Sequence, residues 1–167
     1  SRLARRHVTV ALSGDGGDEL FAGYESYLAQ EKARLYGRLP AWMRTGLLPA
    51  LAARIPPASQ KKGLINKAKR FIEGAAGPIE LAHARWRLFA SDQVLAGLFT
   101  EEAARALQRP AAAHILDLFD QAGNRGELDR CLYVDVKSYL CDNILTKVDR
   151  MSMAVRLETR VPYLDKD

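Results

Sequence analysis

Hydrophobic and polar positions divide this chain into one strand-like run and a long series of helix-like ones. Val8-Thr9-Val10-Ala11-Leu12 is β-branched and apolar without strict alternation, the pattern of a strand covered on both faces in a parallel sheet. From Glu19 to about Tyr36 the period changes. Leu20, Phe21, Tyr24, Tyr27 and Leu28 recur at three- and four-residue spacing and predict a core-facing helical stripe that ends at Gly37 and Pro40. Pro40 opens a further helix reaching about Ile55, where Pro56-Pro57 stops it. Beyond lie a basic amphipathic stretch over Ser59–Gly77 and an Arg/Trp-bearing helix over Pro78–Ala90. A short helix over Val94–Phe99 follows, capped by Ser91 or Asp92, and another begins at Thr100. After Pro110, Ile115, Leu116, Leu118 and Phe119 mark a helix that breaks at Gly123-Asn124-Arg125-Gly126. Glu127–Leu140 then carries an apolar face of Leu128, Cys131, Leu132, Val136, Tyr139 and Leu140. Asp135 falls on or near that face, and a straight helix puts Asp142 two turns along the same side. The fold expected is a predominantly α-helical piece of an α/β domain. It has one buried parallel-type strand near residues 7–12, and the rest is helices.

Bulk properties narrow this little. A chain of 167 residues with 48% hydrophobic and 27% charged residues is ordinary globular material and long enough for one domain. The net charge of +5 suits an anionic ligand or partner without naming it. Cys131 and Cys141 are too few for a disulfide framework and too far apart along a helix to bridge, as expected of a reduced, cytoplasmic protein. No apolar run reaches membrane-spanning length. The chain opens on serine rather than methionine, which points to an excised piece. In Ser59–Gly77, Lys61, Lys62, Lys67, Lys69 and Arg70 flank Leu64, Ile65, Phe71 and Ile72. Such a face can bind nucleic acid or an acidic membrane, although it more commonly covers an ordinary core. His83 and His114 have no partner at metal-ligand spacing.

Candidate chemistry gathers at the two ends. Ser13-Gly14-Asp15-Gly16-Gly17-Asp18-Glu19 stands between the strand and the first helix, and its three glycines let backbone N–H groups approach a ligand closely. The following helix turns its positive end to the same loop, which favours anions. Acids beside an anion site are reconciled when a divalent cation bridges carboxylate and phosphate. The plainer alternative is a strand-to-helix turn with Asp18 as its cap. Near the other end, Lys147 and Arg150 are three apart, on one face of a helix, and can neutralise a phosphate as point charge and fork. Asp149 can orient Lys147 or pair with Arg150.

These two segments resemble the glutamine-hydrolysing asparagine synthetases. Val10-Ala11-Leu12-Ser13-Gly14-Asp15-Gly16-Gly17-Asp18-Glu19-Leu20-Phe21-Ala22-Gly23-Tyr24 is similar to the family's second conserved loop. Lys147–Ala154 with Leu157-Glu158-Thr159-Arg160-Val161-Pro162-Tyr163-Leu164-Asp165 is similar to its later signature. The close matches cover about a quarter of the chain. The resemblance implies an adenine-nucleotide α-hydrolase-like domain of the PP-loop pyrophosphatase type. In that family ATP and Mg²⁺ activate a carboxylate, aspartate foremost, as an acyl-adenylate that glutamine-derived ammonia converts to an amide. It also implies Asp15 and Lys147 as catalytic residues, Asp18 as the Mg²⁺ ligand, and Ser13, Gly14, Gly16, Gly17, Asp149 and Arg150 on the nucleotide or substrate.

Residues 1–167 are then part of a synthetase domain. The family's pyrophosphate loop and its N-terminal glutaminase domain are not in this chain, and the isolated piece is expected to be inactive. Such a piece exposes apolar surface and can self-associate. Departures are Asp15 where many relatives have Glu, Ala22 where they often have Gly, and Cys141 where they often have Pro. β-Lactam synthetases, lasso-peptide cyclases and amidotransferases of sugar or peptide carboxylates share the scaffold, but an acid at position 15 leans to an external amine. A basic helical nucleic-acid-binding module is the reading from a different class, and nucleic acid is the less expected partner.

Overall fold

The computed structural model describes residues 1–54, 68, 71–72, 77–88, 90, 92–106 and 109–165. The basic stretch over Ser59–Gly77 therefore lies largely outside the described residues. Where length alone suggests one domain, the chain divides into two compact units, one formed by residues 1–24 and 121–167 and the other by residues 25–120.

The first unit holds both candidate segments. Strand β1 (Val10–Leu12) pairs in parallel with β2 (Glu158–Arg160), so that Val10 faces Glu158 and Leu12 faces Arg160. Glu158 N–H donates to Thr9 O and Ser13 N–H to Arg160 O, both at 2.9 Å, and these bonds bracket the ladder. The expectation of a single buried strand is corrected on both counts. Among the described residues there are two strands, and the partner reads Glu-Thr-Arg, with no apolar face to offer. Val10 and Leu12, two apart and so on one face, remain 40% and 74% exposed.

The expected helix from Glu19 to Tyr36 is also interrupted. Helix α1 (Gly17–Phe21) ends at Ala22, whose φ of 57° is left-handed, and Gly23 N–H closes the turn onto Asp18 O at 2.9 Å. Leu20 and Phe21 consequently leave the predicted core stripe and stand 41% and 71% exposed.

The rest of this unit is one long helical run with a changed pitch. Helix α8 (Glu127–Asp135) begins after Gly126 with Glu127 and Asp129 in its first turn, where acids suit the helix dipole. It passes into a ten-residue π-helical segment, Val136–Leu145, and then into α9 (Thr146–Met153). The side chains follow the same spacing: Cys141 S–H donates to Val136 O and Thr146 Oγ1 to Cys141 O, each five residues back, which the wider π turn brings within reach. This corrects the expected placement of Asp142. Asp135 is fully buried whereas Asp142 is exposed, because the π turns shift the face before residue 142 is reached. Cys131, Val134, Leu140 and Leu157 form the buried core here, and α1 packs on α8 and on the π segment. Neither Cys131 nor Cys141 is in a disulfide.

The second unit is helical among its described residues. Helix α2 (Glu25–Tyr36) is followed by a π turn (Met43–Leu47), α3 (Leu48–Arg54), α4 (Ile79–Arg87), α5 (Asp92–Leu98), α6 (Glu101–Ala106) and α7 (Ala113–Ala122), the last running two residues past the boundary. The chain signals for α6 and α7 are realised. Thr100 Oγ1 accepts Ala103 N–H at 3.3 Å, and Gly123 takes a φ of 66° just past α7. Asp92 opens α5, but its carboxylate accepts Ala111 N–H at 2.8 Å from another segment. Tyr27, Ala82, Ala84, Ile115, Leu118 and Phe119 make the apolar core. His83 is wholly buried within it, bonded through Nδ1 to Gln30 Nε2 at 2.9 Å, stacked on Tyr27 and edge-on to Phe119. It is a structural histidine. Among the described residues no helix is long and apolar enough to cross a membrane.

Candidate functional site

The glycine loop leaves the carboxyl end of β1, the end of a parallel ladder where open α/β sheets bind ligands. Its first internal contact is short: Ser13 Oγ donates to Asp15 Oδ2 at 2.5 Å. This holds the Asp15 carboxylate toward the strand end and leaves Oδ1 available. Gly16 has a φ of 86°, a conformation that disfavours any side chain, and lies against Leu164. A Cβ there would fall 2.7 Å from Leu164 Cδ2. Gly17 faces the Tyr163 ring, which also meets Phe21 edge-on at 5.7 Å. The segment after β2 thus forms a wall for the loop, in a 3-10 turn over Pro162–Leu164.

Asp18 is exposed and Glu19 is not. The Asp18 side chain lies over Gly23, where a Cβ would come within 2.1 Å of Asp18 Oδ1, so glycine at 23 makes the room for that carboxylate. Glu19 is 1% exposed and accepts a 2.6 Å hydrogen bond from Tyr24 Oη. Burial, and then that bond to a carboxylate, raise the Tyr24 pKa well above the ordinary phenol value. The sequence reading did not single out this pair; an acid five residues before a tyrosine, with a glycine between them, is the signal that could have found it.

Lys147, Asp149 and Arg150 lie on α9 with their side chains exposed. Helix α9 turns into β2 through Leu157 N–H, which donates to Ser152 O at 3.1 Å, and Arg156 takes a left-handed φ of 60° there. The parallel ladder therefore brings the signature segment and the loop into one unit. The side chains themselves are not joined: among the described residues no ion pair links Lys147, Asp149 or Arg150 to one another or to Asp15 or Asp18. The expected pairing of Asp149 with Lys147 or Arg150 is thus not formed. Exposed pairs of this kind gain little in water, so nothing compels them to close.

At the carboxyl ends of both strands an open cavity of about 540 Å³ is lined by Leu12, Arg160, Val161, Pro162, Leu164 and Asp165. The Arg160 guanidinium is held on the strand face by Glu158, two residues back, at 2.8 Å. Among the described residues no three His, Cys, Asp or Glu side chains converge as a ready-made metal cage. In the other unit, Arg87 lies over the Tyr27 ring at 5.9 Å, so it is engaged in packing rather than offered to a nucleic-acid base.

The asparagine synthase family model matches residues 1–167. The chain belongs to the asparagine synthase family. It is 31% identical over 166 residues to asparagine synthetase [glutamine-hydrolyzing] 1 of Bacillus subtilis, covering 99% of this chain and 24% of that protein. A Methanocaldococcus jannaschii protein, provisionally named for the same activity, is 31% identical over 98% of this chain and 29% of its own length. A Mycobacterium tuberculosis protein with a similarly provisional name is 30% identical over the whole chain and 24% of its own length. No solved structure matches. This member of the family thus spans about a quarter of the length of these relatives.

Proposed function

We propose that this chain is the part of an ATP-dependent, amide-forming ligase that carries the acid loop and the cationic signature helix of its synthetase site. The observation that carries the reading is the parallel pairing of β1 with β2. It seats the Ser13–Glu19 loop beside Val161–Asp165, and α9 with Lys147, which leads into β2, belongs to the same compact unit. Glutamine hydrolysis, named for the relatives, is assigned to the rest of the polypeptide, which supplies ammonia. Aspartate is the carboxylate substrate proposed.

The reaction consumes ATP. A carboxylate oxygen bonds to the α-phosphorus and pyrophosphate leaves; ammonia then bonds to the acyl carbon, loses a proton, and AMP leaves. Asp15 takes the proton role. Its Oδ2 is occupied by Ser13, so its orientation is fixed and Oδ1 is the free acceptor. In the glycine loop the main-chain N–H groups of Gly14 and Gly16 are the donors for phosphate oxygens, while Gly17 N–H is bonded to Gly14 O at 3.2 Å and helps to shape the turn. Lys147 and Arg150 meet phosphate charge from α9, exposed and uncommitted to other acids. Asp149 supports the same face.

The donor set fits magnesium in part. Such ions bind nucleotides through one or two carboxylates, with phosphate and water completing the shell. Asp18, exposed and seated over Gly23, is the residue that would hold it. Magnesium when bound neutralises charge on the phosphate oxygens.

The test uses the full-length polypeptide with ATP, Mg²⁺, aspartate and glutamine or ammonia, following AMP and asparagine together. One AMP per asparagine is expected. Asp18→Asn is expected to raise the Mg²⁺ concentration needed for half-maximal rate by tenfold or more, and Lys147→Ala to cut synthesis while leaving glutamine hydrolysis measurable. A wild-type protein that hydrolyses ATP only to ADP, or makes no amide, overturns the proposal.

A further inference from the structure

We propose that Glu19 and Tyr24 are positioning residues, a clasp that fixes the direction of the Asp18 carboxylate. The inference rests on the reading of Asp18 as the metal-side carboxylate of the proposed ligase. Two adjacent residues at the start of α1 engage two adjacent residues after its end. Asp18 O accepts Gly23 N–H at 2.9 Å while Asp18 Oδ1 lies over Gly23, and Glu19 accepts the Tyr24 hydroxyl proton at 2.6 Å. The left-handed turn at Ala22 is what folds the second pair back over the first.

Glu19 is the costly member. A carboxylate at 1% exposure has lost nearly all its water and needs strong hydrogen bonds in return. An apolar residue would fill the same space without that cost if α1 needed only packing. The short, charge-assisted bond supplies direction as well as energy. Tyr24 is in turn held by Tyr139, whose ring meets it edge-on at 6.0 Å from the π segment. The clasp is thus anchored to the long helical run rather than to the five-residue helix alone. With Oε1 engaged and the side chain sealed from solvent, Glu19 acts through Asp18 and not on the ligand itself.

The experiment compares Tyr24→Phe, Glu19→Gln and Asp18→Asn in the full-length polypeptide. The first readout is amide hydrogen exchange over residues 17–23 without ligand. The second is calorimetric binding of α,β-methylene-ATP with and without Mg²⁺. Tyr24→Phe removes the donor, a bond to a charged group. It is expected to speed exchange about tenfold or more, and to weaken Mg²⁺-dependent analogue binding by about the same factor, leaving metal-free binding unchanged. Glu19→Gln keeps a carbonyl that accepts the tyrosine proton, and both readouts are expected within about threefold of wild type. Unchanged exchange in Tyr24→Phe overturns the clasp. Loss in Glu19→Gln equal to that in Tyr24→Phe overturns positioning, since charge itself then acts. If Asp18→Asn leaves the Mg²⁺-dependent increment intact, the functional reading of Asp18 fails, even where exchange in Tyr24→Phe shows the clasp to be real.

Discussion

The two ends of α1 invite a reciprocal exchange of glycine and alanine. Both end positions are left-handed, Gly16 at φ 86° and Ala22 at φ 57°, but only the first carries the residue that adopts this conformation freely. Gly16→Ala adds a left-handed penalty of about 1–2 kcal/mol. It also drives a Cβ to 2.7 Å from Leu164 Cδ2, and displacing a packed side chain costs a further ~1–3 kcal/mol. The sum is a destabilisation of about 2–5 kcal/mol. Ala22→Gly removes a penalty of about 1–2 kcal/mol and gives back ~0.5–1 kcal/mol of chain entropy, a net gain of about 0.5–1 kcal/mol. Hydrogen exchange at Leu20 and Gly23 reads both changes, since their N–H groups are bonded to Gly16 O and Asp18 O. At about 1.4 kcal/mol per factor of ten, Gly16→Ala is expected to speed exchange by roughly 30- to 4,000-fold, and Ala22→Gly to slow it about two- to fivefold. A second substitution, Leu164→Ala, relieves only the contact part of the Gly16→Ala loss, so the two changes are expected to be non-additive. Equal and small effects at both positions would refute the reasoning, because the conformational difference between glycine and alanine would then be irrelevant to the turn.

Ser13→Ala removes the donor that orients Asp15 and is expected to lower the amide-forming rate of the full-length protein by about tenfold or more, with glutamine hydrolysis unaffected. Phe119→Ala empties a site that is 1% exposed and supports His83; it is expected to destabilise the second unit by about 3–5 kcal/mol in chemical denaturation. Gly97→Ala, in α5 with nothing within 4 Å of the added Cβ, is expected to stabilise by about 0.5–1 kcal/mol in the same assay. Because the folded-state pKa of Tyr24 is raised above the ordinary 10.0, its contribution is present below that pH and is lost as pH rises beyond it; the alkaline fall in stability is expected to be shallower in Tyr24→Phe.

The strand at Val10–Leu12 was legible because its β-branched apolar run has no helical period. Its partner was not, since Glu158-Thr159-Arg160 has no apolar run and pairs only through the backbone. The helix start at Thr100 and the stop at Gly123 followed from local capping chemistry, which the chain writes in neighbouring residues, and the helix from Glu127 from its apolar face. The break at Ala22 depends on a left-handed residue that alanine does not announce. Burial of His83 depends on Gln30 and Phe119, too far along the chain for any window to connect. The change of pitch over Val136–Leu145 left the apolar pattern intact and so moved Asp142 without warning. Of the candidate site, the glycine loop with its acids and the cations of α9 were visible as residue types, whereas the bond from Ser13 to Asp15 was not. The wall of Tyr163 and Leu164 and the buried Glu19 required the fold.

The parallel ladder also sets the order in which the loop can take shape. Val10 and Glu158 meet only after a loop of about 150 residues closes, so local helices form early and the strand pair late. Residues 25–120 form their own compact unit within that loop, and compaction of this unit shortens the effective span to be closed. The entropic charge for closure grows only logarithmically, by about 0.6 kcal/mol for each doubling of length. An insertion that lengthens the helical unit by half therefore taxes the strand pair by a few tenths of a kcal/mol. Changes in the length of the helical unit thus cost the ladder that seats the glycine loop little.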